Sequence, residues 1–143
     1  MRALYSKGMV SVKTHLMFQG DGDAALSLYQ SVFPDFQVES VERYGEEDGG
    51  KNGTLKDARI SFAGHNLIIF DSPTPHEFDF TPSVSIFVDF DRFDVMIAAF
   101  EALSEGGQIM MPPDDYGFST QFAWIADRFG VSWQLNLPIS MQA

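Results

Sequence analysis

Residues 12–18 alternate, with Val12, Thr14, Leu16 and Phe18 on one face, the period of a half-buried strand. The GDGD stretch that follows supplies turn and N-cap chemistry, with Asp21 or Asp23 as the cap. Ala25, Leu28, Tyr29, Val32 and Phe33 then recur at helical spacing. Pro34 ends that helix, because the residue before a proline avoids the helical region. Residues 36–44 read as a strand, GEEDGGKNG (45–53) as a Gly-rich acidic loop, and 58–62 and 67–70 as two further strands. Ala63-Gly64-His65-Asn66 joins those two as a hairpin turn. In the second half, 83–90 alternates through Val84, Ile86, Val88 and Phe90. Asp91 and Asp94 open a helix whose apolar face is Phe93, Ile97, Phe100 and Leu103, and Gly106-Gly107 stops it. Residues 108–111 form a strand terminated by Pro112 and Pro113; 121–126 and 131–137 are strands around a turn at Phe129-Gly130.

The two halves superpose as patterns. Residues 11–18 lie over 83–90 without a gap, Tyr44-Gly45 over Tyr116-Gly117, and Gly64 over Gly130 once the acidic loop is treated as an insertion. Each half is therefore β-α-β-β-β, and the fold class is α+β, built as a module at 11–72 and a module at 82–138. One such unit leaves a sheet face uncovered. Two units bury those faces against each other or wrap a shared cavity, with the helices outside.

Charge narrows the partners. Nine Lys and Arg stand against twenty Asp and Glu, a net charge of -11. A field of that sign repels phosphate backbones and anionic membrane surfaces, so neither nucleic acid nor membrane is expected as a partner. There is no cysteine, which removes disulfides, thiol nucleophiles and Cys-ligated metal sites. No apolar run reaches the ~18 residues of a membrane span. MRALYSKGM lacks the apolar region of a signal peptide, so residues 1–10 read as a leader, with Met9 as an alternative start, and the expected compartment is the cytoplasm. Residues 139–143 read as a frayed tail.

The chemistry-bearing residues are few. Asp57 and Arg59, two apart on one strand, share a face; they orient a ligand carboxylate or amide, or form a plain ion pair. Glu42 and Asp57 are an acid–base pair only if the fold brings them together. Asp71 ends a strand and either reaches a pocket rim or caps its own turn. Tyr44, Tyr116, Trp124 and Trp133 are core residues or an aromatic clamp for a flat ligand. His65 and His76 read as surface residues. No GxGxxG or Walker phosphate loop is present, nor the Gly-rich first βα turn of a Rossmann methyltransferase, nor GxSxG. The acidic loop lacks the alternating oxygen ligands of a calcium loop.

Leu16-Met17-Phe18, GDGDAALSLYQSVF, Arg43-Tyr44-Gly45, LSEGGQIMMP and DRFGVSWQLN, in that order, resemble the PhnB-like branch of the vicinal oxygen chelate (glyoxalase/bleomycin-resistance) superfamily. Members have carried the label 3-demethylubiquinone 3-methyltransferase-like, a label that the residues above do not support as chemistry. The resemblance implies two βαβββ modules forming a half-open barrel, in a homodimer. It also departs from the pattern: relatives carry a Trp in the loop before the last hairpin, where this chain has Asp114-Asp115-Tyr116-Gly117-Phe118, so Tyr116 or Phe118 takes that place at the mouth of any pocket.

Metal-dependent members of the superfamily hold a divalent ion with His and Glu from the first strand of each module and from later strands. Here the first strand offers His15, or Thr14 if the register shifts by one residue. The third strand offers Asp57. The second module opens with Ser83 and Ser85, and the glutamate position of the last strand is Gln134, a weaker ligand. No metal or other cofactor is therefore expected; a divalent metal, if bound, rests on His15 and Asp57. The expected function is metal-free binding of an unidentified small molecule in a barrel cavity, as in bleomycin-binding relatives, by His15, Tyr44, Asp57, Arg59, Ser85, Tyr116, Phe118, Trp124 and Gln134. The alternatives are a glyoxalase-like or dioxygenase-like metalloenzyme with an atypical site, and a non-catalytic structural or regulatory domain.

Overall fold

The computed structural model describes residues 8–139. Residues 1–7 of the expected leader and 140–143 of the expected tail lie outside the described residues. The chain divides into two compact units between Pro75 and His76.

The first unit runs β1 (Thr14–Phe18), α1 (Gly22–Val32), β2 (Phe36–Arg43), β3 (Leu55–Phe62) and β4 (His65–Asp71). Its four strands lie in the order β1-β4-β3-β2, with β1 parallel to β4 and the other pairs antiparallel. The second unit repeats this: β5 (Ser85–Asp89), α2 (Phe93–Ser104), β6 (Gln108–Asp114), β7 (Gln121–Ala126) and β8 (Ser132–Leu137), in the order β5-β8-β7-β6. β5 is parallel to β8, as β1 is to β4. The βαβββ repeat read from the pattern is thus present, element for element.

In each unit the helix covers one face of the sheet. Ala25, Leu26 and Tyr29 of α1 are buried, as are Leu16, Phe18, Ile60, Phe62, Leu67 and Ile69. Tyr29, Phe33, Phe36 and Phe62 meet ring to ring, at centroid distances of 4.8–5.8 Å. Met96, Ala99 and Leu103 of α2 are buried, as are Ala123, Ile125, Trp133 and Leu135. Strand alternation puts the intervening residues on the opposite, helix-free face.

Three local expectations are corrected. The β3–β4 turn has two residues, Ala63 (φ 48°) and Gly64 (φ 87°), both left-handed as a tight hairpin of this twist requires; His65 and Asn66 already belong to β4. Pro112 and Pro113 do not terminate their strand, because β6 is an outer strand and register shifts flank them, so their missing N–H groups cost no ladder bond. The helix caps also differ. Asp21 occupies the N-cap of α1 without a side-chain bond, and Asp23 instead accepts from the Leu55 amide at 3.0 Å and pairs with Arg43 at 3.1 Å. The carboxylate that serves the start of α1 is Asp71, at the far end of β4, which accepts from the amides of Gly20 (2.6 Å) and Gly22 (2.7 Å). Arg92, not Asp91, is the N-cap of α2. It pairs with Asp94 at 2.5 Å, and that hydrogen bond holds the Asp94 carboxyl below its ordinary range.

The DRFGVSW segment is a structural knot. Asp127 is 2% exposed. One of its oxygens accepts from the amides of Phe129 (2.9 Å) and Val131 (3.1 Å), the other from the Trp133 indole N–H (2.9 Å). Gly107 packs against it from below: a Cβ there would lie 2.1 Å from the Ala126 carbonyl oxygen, so no other residue fits. The two motifs LSEGG and DRFGVSW meet at this point.

Candidate functional site

The helix-free face is where the chemistry-bearing side chains gather, and register decides which of them meet. In the first unit, His15 on β1, Ile68 on β4 and Arg59 on β3 form one row across the sheet; Met17, Phe70 and Asp57 form the next. The one-residue ambiguity of the first strand is resolved: His15 faces the helix-free side, exposed and 5.6 Å from the Phe70 ring. Thr14 lies on the other face and hydrogen-bonds to His65 Nε2 at 2.9 Å. Asp57 and Arg59 share the face, 3.9 Å apart, with about half of the Arg59 side chain exposed. Glu42 lies directly across from Asp57 on β2, a juxtaposition that the sequence alone did not reveal.

Tyr44 stands apart. It is 5% exposed, and its hydroxyl donates to the Asp71 carbonyl at 2.5 Å. Burial, then the Asp71 carboxylate, pushes its phenol above the ordinary range. It anchors the same strand end that serves α1, away from the row of His15 and Arg59. Tyr116, its counterpart in the repeat, is over a third exposed and donates to the Pro112 carbonyl at 2.5 Å.

In the second unit the corresponding row is Phe87 on β5, Gln134 on β8 and Trp124 on β7. Beside it runs the row Ser85, Ser132, Ala126. Ser132 joins three of the expected residues into one network. It accepts from the Trp124 indole N–H at 2.9 Å and shares a 2.7 Å hydrogen bond with Ser85, whose hydroxyl accepts from the Gln134 amide at 3.2 Å. Trp133, on the opposite face, is fully buried and is core.

On the other side of the Phe87 row lies an aromatic group. Phe122 is buried, and the Phe87, Phe118 and Tyr116 rings stand around it at 6.3, 5.0 and 6.2 Å. Phe118 and Tyr116 stack at 6.3 Å. Phe87 and Phe118 are each more than half exposed. Phe87, Phe122, Ser132 and Asn136 were missed by sequence reasoning. A signal existed for the last two: in SWQLNL the polar residues Ser132, Gln134 and Asn136 alternate with apolar ones, which marks a polar face along the strand.

A vicinal-oxygen-chelate metal does not fit these residues. The rows that hold the candidate ligands read His–Ile–Arg and Met–Phe–Asp in the first unit, and Phe–Gln–Trp and Ser–Ser–Ala in the second. His15 and Asp57 sit two strands apart, with the Phe70 ring on the strand between them. The Arg59 guanidinium in the His15 row repels a cation. Among the described residues no group of three or more His, Asp or Glu side chains comes close enough to hold a metal ion.

The family model described as 3-demethylubiquinone-9 3-methyltransferase matches residues 10–136. The chain belongs to this PhnB-like family. The structure of a putative 3-demethylubiquinone-9 3-methyltransferase, PhnB protein, from Bacillus cereus is 37% identical, with a TM-score of 0.84 over 90% of this chain and 99% of that one. A Pseudomonas aeruginosa protein of known structure is 24% identical, with a TM-score of 0.79 over 90% and 98%. A glyoxylase/bleomycin resistance protein/dioxygenase domain from Frankia is 13% identical, with a TM-score of 0.65 over 92% and 99%, and shares the fold. No curated protein matches the sequence. The PhnB-like chain thus has the glyoxalase/bleomycin-resistance fold of two βαβββ units. No helix among its described residues is long and apolar enough to cross a membrane.

Proposed function

We propose that this PhnB-like protein binds a small, partly aromatic molecule on the helix-free face of its second sheet, without a metal. The observation that carries the reading is the Trp124–Ser132–Ser85–Gln134 network beside the exposed Phe87 and Phe118 rings. An indole and an amide held by hydroxyls offer donors and acceptors in fixed positions, and the rings offer apolar area. That mixture of a few oriented polar groups with aromatic walls is what small-molecule sites use. Within the first unit, the row of His15 and Arg59, with Asp57 beside it, is proposed as a separate polar patch able to hydrogen-bond a ligand. Tyr116 and Phe118 are proposed as the adaptable part of the site, because they lie in the loop between β6 and β7.

Methyl transfer finds no support in these residues. Each sheet combines one parallel pair with two antiparallel pairs, and neither first βα turn carries the glycine pattern that cradles a nucleotide cofactor. The working unit is proposed to be a cytoplasmic homodimer. The outer strands β1, β2, β5 and β6 each have one side without a neighbour in their own sheet, and exposed Val84 and Ile109 give a second copy apolar surface to cover.

Native mass spectrometry of gently purified protein tests the whole reading. A dimer that retains an organic mass, or that takes up an aromatic ligand and shifts its melting temperature, supports it. One divalent metal per chain, lost together with the ligand on chelation, would overturn it in favour of a metalloenzyme.

A further inference from the structure

One row of the second sheet runs through all four strands: Asp89 on β5, Asn136 on β8, Phe122 on β7 and Asp114 on β6. Partners in a row share a face, so this row lies on the helix-free side next to the Phe87 row. It has a carboxylate at each end and an aromatic ring within it. Three strand spacings separate the ends, roughly 14 Å between backbones. The Asp89 carboxylate is held in place: it accepts from the Asn136 amide at 2.8 Å, and Asn136 accepts in turn from the Ser119 hydroxyl. Ser119 and Asn136 are both buried, whereas Asp89 is exposed. A buried pair therefore aims an exposed carboxylate beside Phe87, two residues earlier on the same strand and face.

The charge of this unit points the same way. Residues 76–143 carry ten Asp and Glu against two Arg, a net charge of -8, whereas residues 1–75 carry ten against seven, a net charge of -3. Both arginines of the second unit are engaged elsewhere. Arg92 pairs with Asp94, and Arg128 lies over the Phe129 ring at 5.0 Å. Asp89 and Asp114 thus flank an exposed aromatic group within the more acidic half of the molecule.

We propose that the molecule taken up on this face is an organic cation with an aromatic or alkyl body. The ammonium is held by Asp89 at one end or Asp114 at the other, and its body lies on Phe87, Phe118 and Tyr116. Ring faces attract cations as well as apolar groups, and the surrounding negative field raises the local concentration of a cation. This inference rests on the small-molecule reading above and specifies the ligand's charge.

The test is an NMR titration of the full chain with three probes of similar size: phenyltrimethylammonium, its neutral isostere tert-butylbenzene, and benzoate. Phenyltrimethylammonium is expected to shift the resonances of Phe87, Phe118 and Trp124, and to bind on the order of tenfold more tightly than the neutral isostere. Asp89→Asn is expected to remove most of that preference and leave the neutral isostere's binding unchanged; Asp114→Asn acts in the same direction. Raising the salt concentration should weaken the cation alone. Equal or tighter binding of tert-butylbenzene or benzoate at these residues would overturn the charge assignment while leaving the small-molecule reading standing. No shift there with any probe overturns both, as do shifts that follow protein dilution without a probe, since those would mark the face as covered by a second copy.

Discussion

Asp127 shows how one side chain can carry a motif. Its carboxylate satisfies two backbone amides and an indole N–H inside a turn that is closed to water. Each of those donors, left unpaired in the interior, costs about 1–3 kcal/mol. Asp127→Ala is therefore expected to lower the unfolding free energy by on the order of 3 kcal/mol, read as a lower urea midpoint with an unchanged slope. A loss below about 1 kcal/mol would mean that water reaches the turn and replaces the carboxylate. The sequence showed Asp-Arg-Phe-Gly-Val-Ser-Trp as a recognisable string. It did not show why the string begins with Asp, because the Trp133 indole meets the carboxylate only once β7 and β8 have paired. Gly107 was legible as a helix stop, but the Ala126 carbonyl that forbids a side chain there comes from a distant part of the chain.

At the level of elements, the helix start is the instructive case. Local reading assigned the cap of α1 to Asp21 or Asp23, the acidic residues nearest in sequence. Asp21 does hold the N-cap position of α1 but makes no side-chain bond there; the carboxylate that accepts from the amides at that end is Asp71's, brought there because β4 runs parallel to β1 and ends where β1 ends. The same carboxylate thereby ties the last strand of the unit to its helix. Asp71→Asn keeps the shape but exchanges one acceptor oxygen for a donor that faces an amide. The expected cost is about 1–2 kcal/mol, with faster hydrogen exchange at the first turn of α1 than elsewhere in the unit. Uniform acceleration across both units would instead point to global unfolding. The prolines of β6 teach a related lesson. A proline is a stop signal only where its N–H is needed, and on an outer strand it is not.

For the molecule as a whole, the two units share a topology but not a chemistry. The first offers His15 and Arg59 on its helix-free face; the second offers hydroxyls, amides, rings and carboxylates. The first has only His15 and Asp57 at candidate metal positions, and the second has neither imidazole nor carboxylate at its own, Ser85 and Gln134. Adding zinc or nickel at micromolar concentration, and then removing it with chelator, is accordingly expected to leave the melting temperature unchanged. An ion held at a hundred times its dissociation constant would add roughly 2.7 kcal/mol and move the transition by several degrees. Such a shift, abolished in His15→Ala, would bring the metalloenzyme reading back.

By itself, the sequence determined the order of the elements and the repeat. Those follow from periodicities of two and 3.6 residues, which act over a few neighbours. Family membership was also legible, because the motifs that carry it lie at turns and helix ends with strong local preferences. The partners were decided by tertiary structure. His15 rather than Thr14 on the helix-free face, Glu42 across from Asp57, Ser132 joining Trp124 to Ser85, and Asp89 and Asp114 at the ends of one row all depend on strand register. Register is set by packing between residues tens of positions apart, and no local periodicity records it.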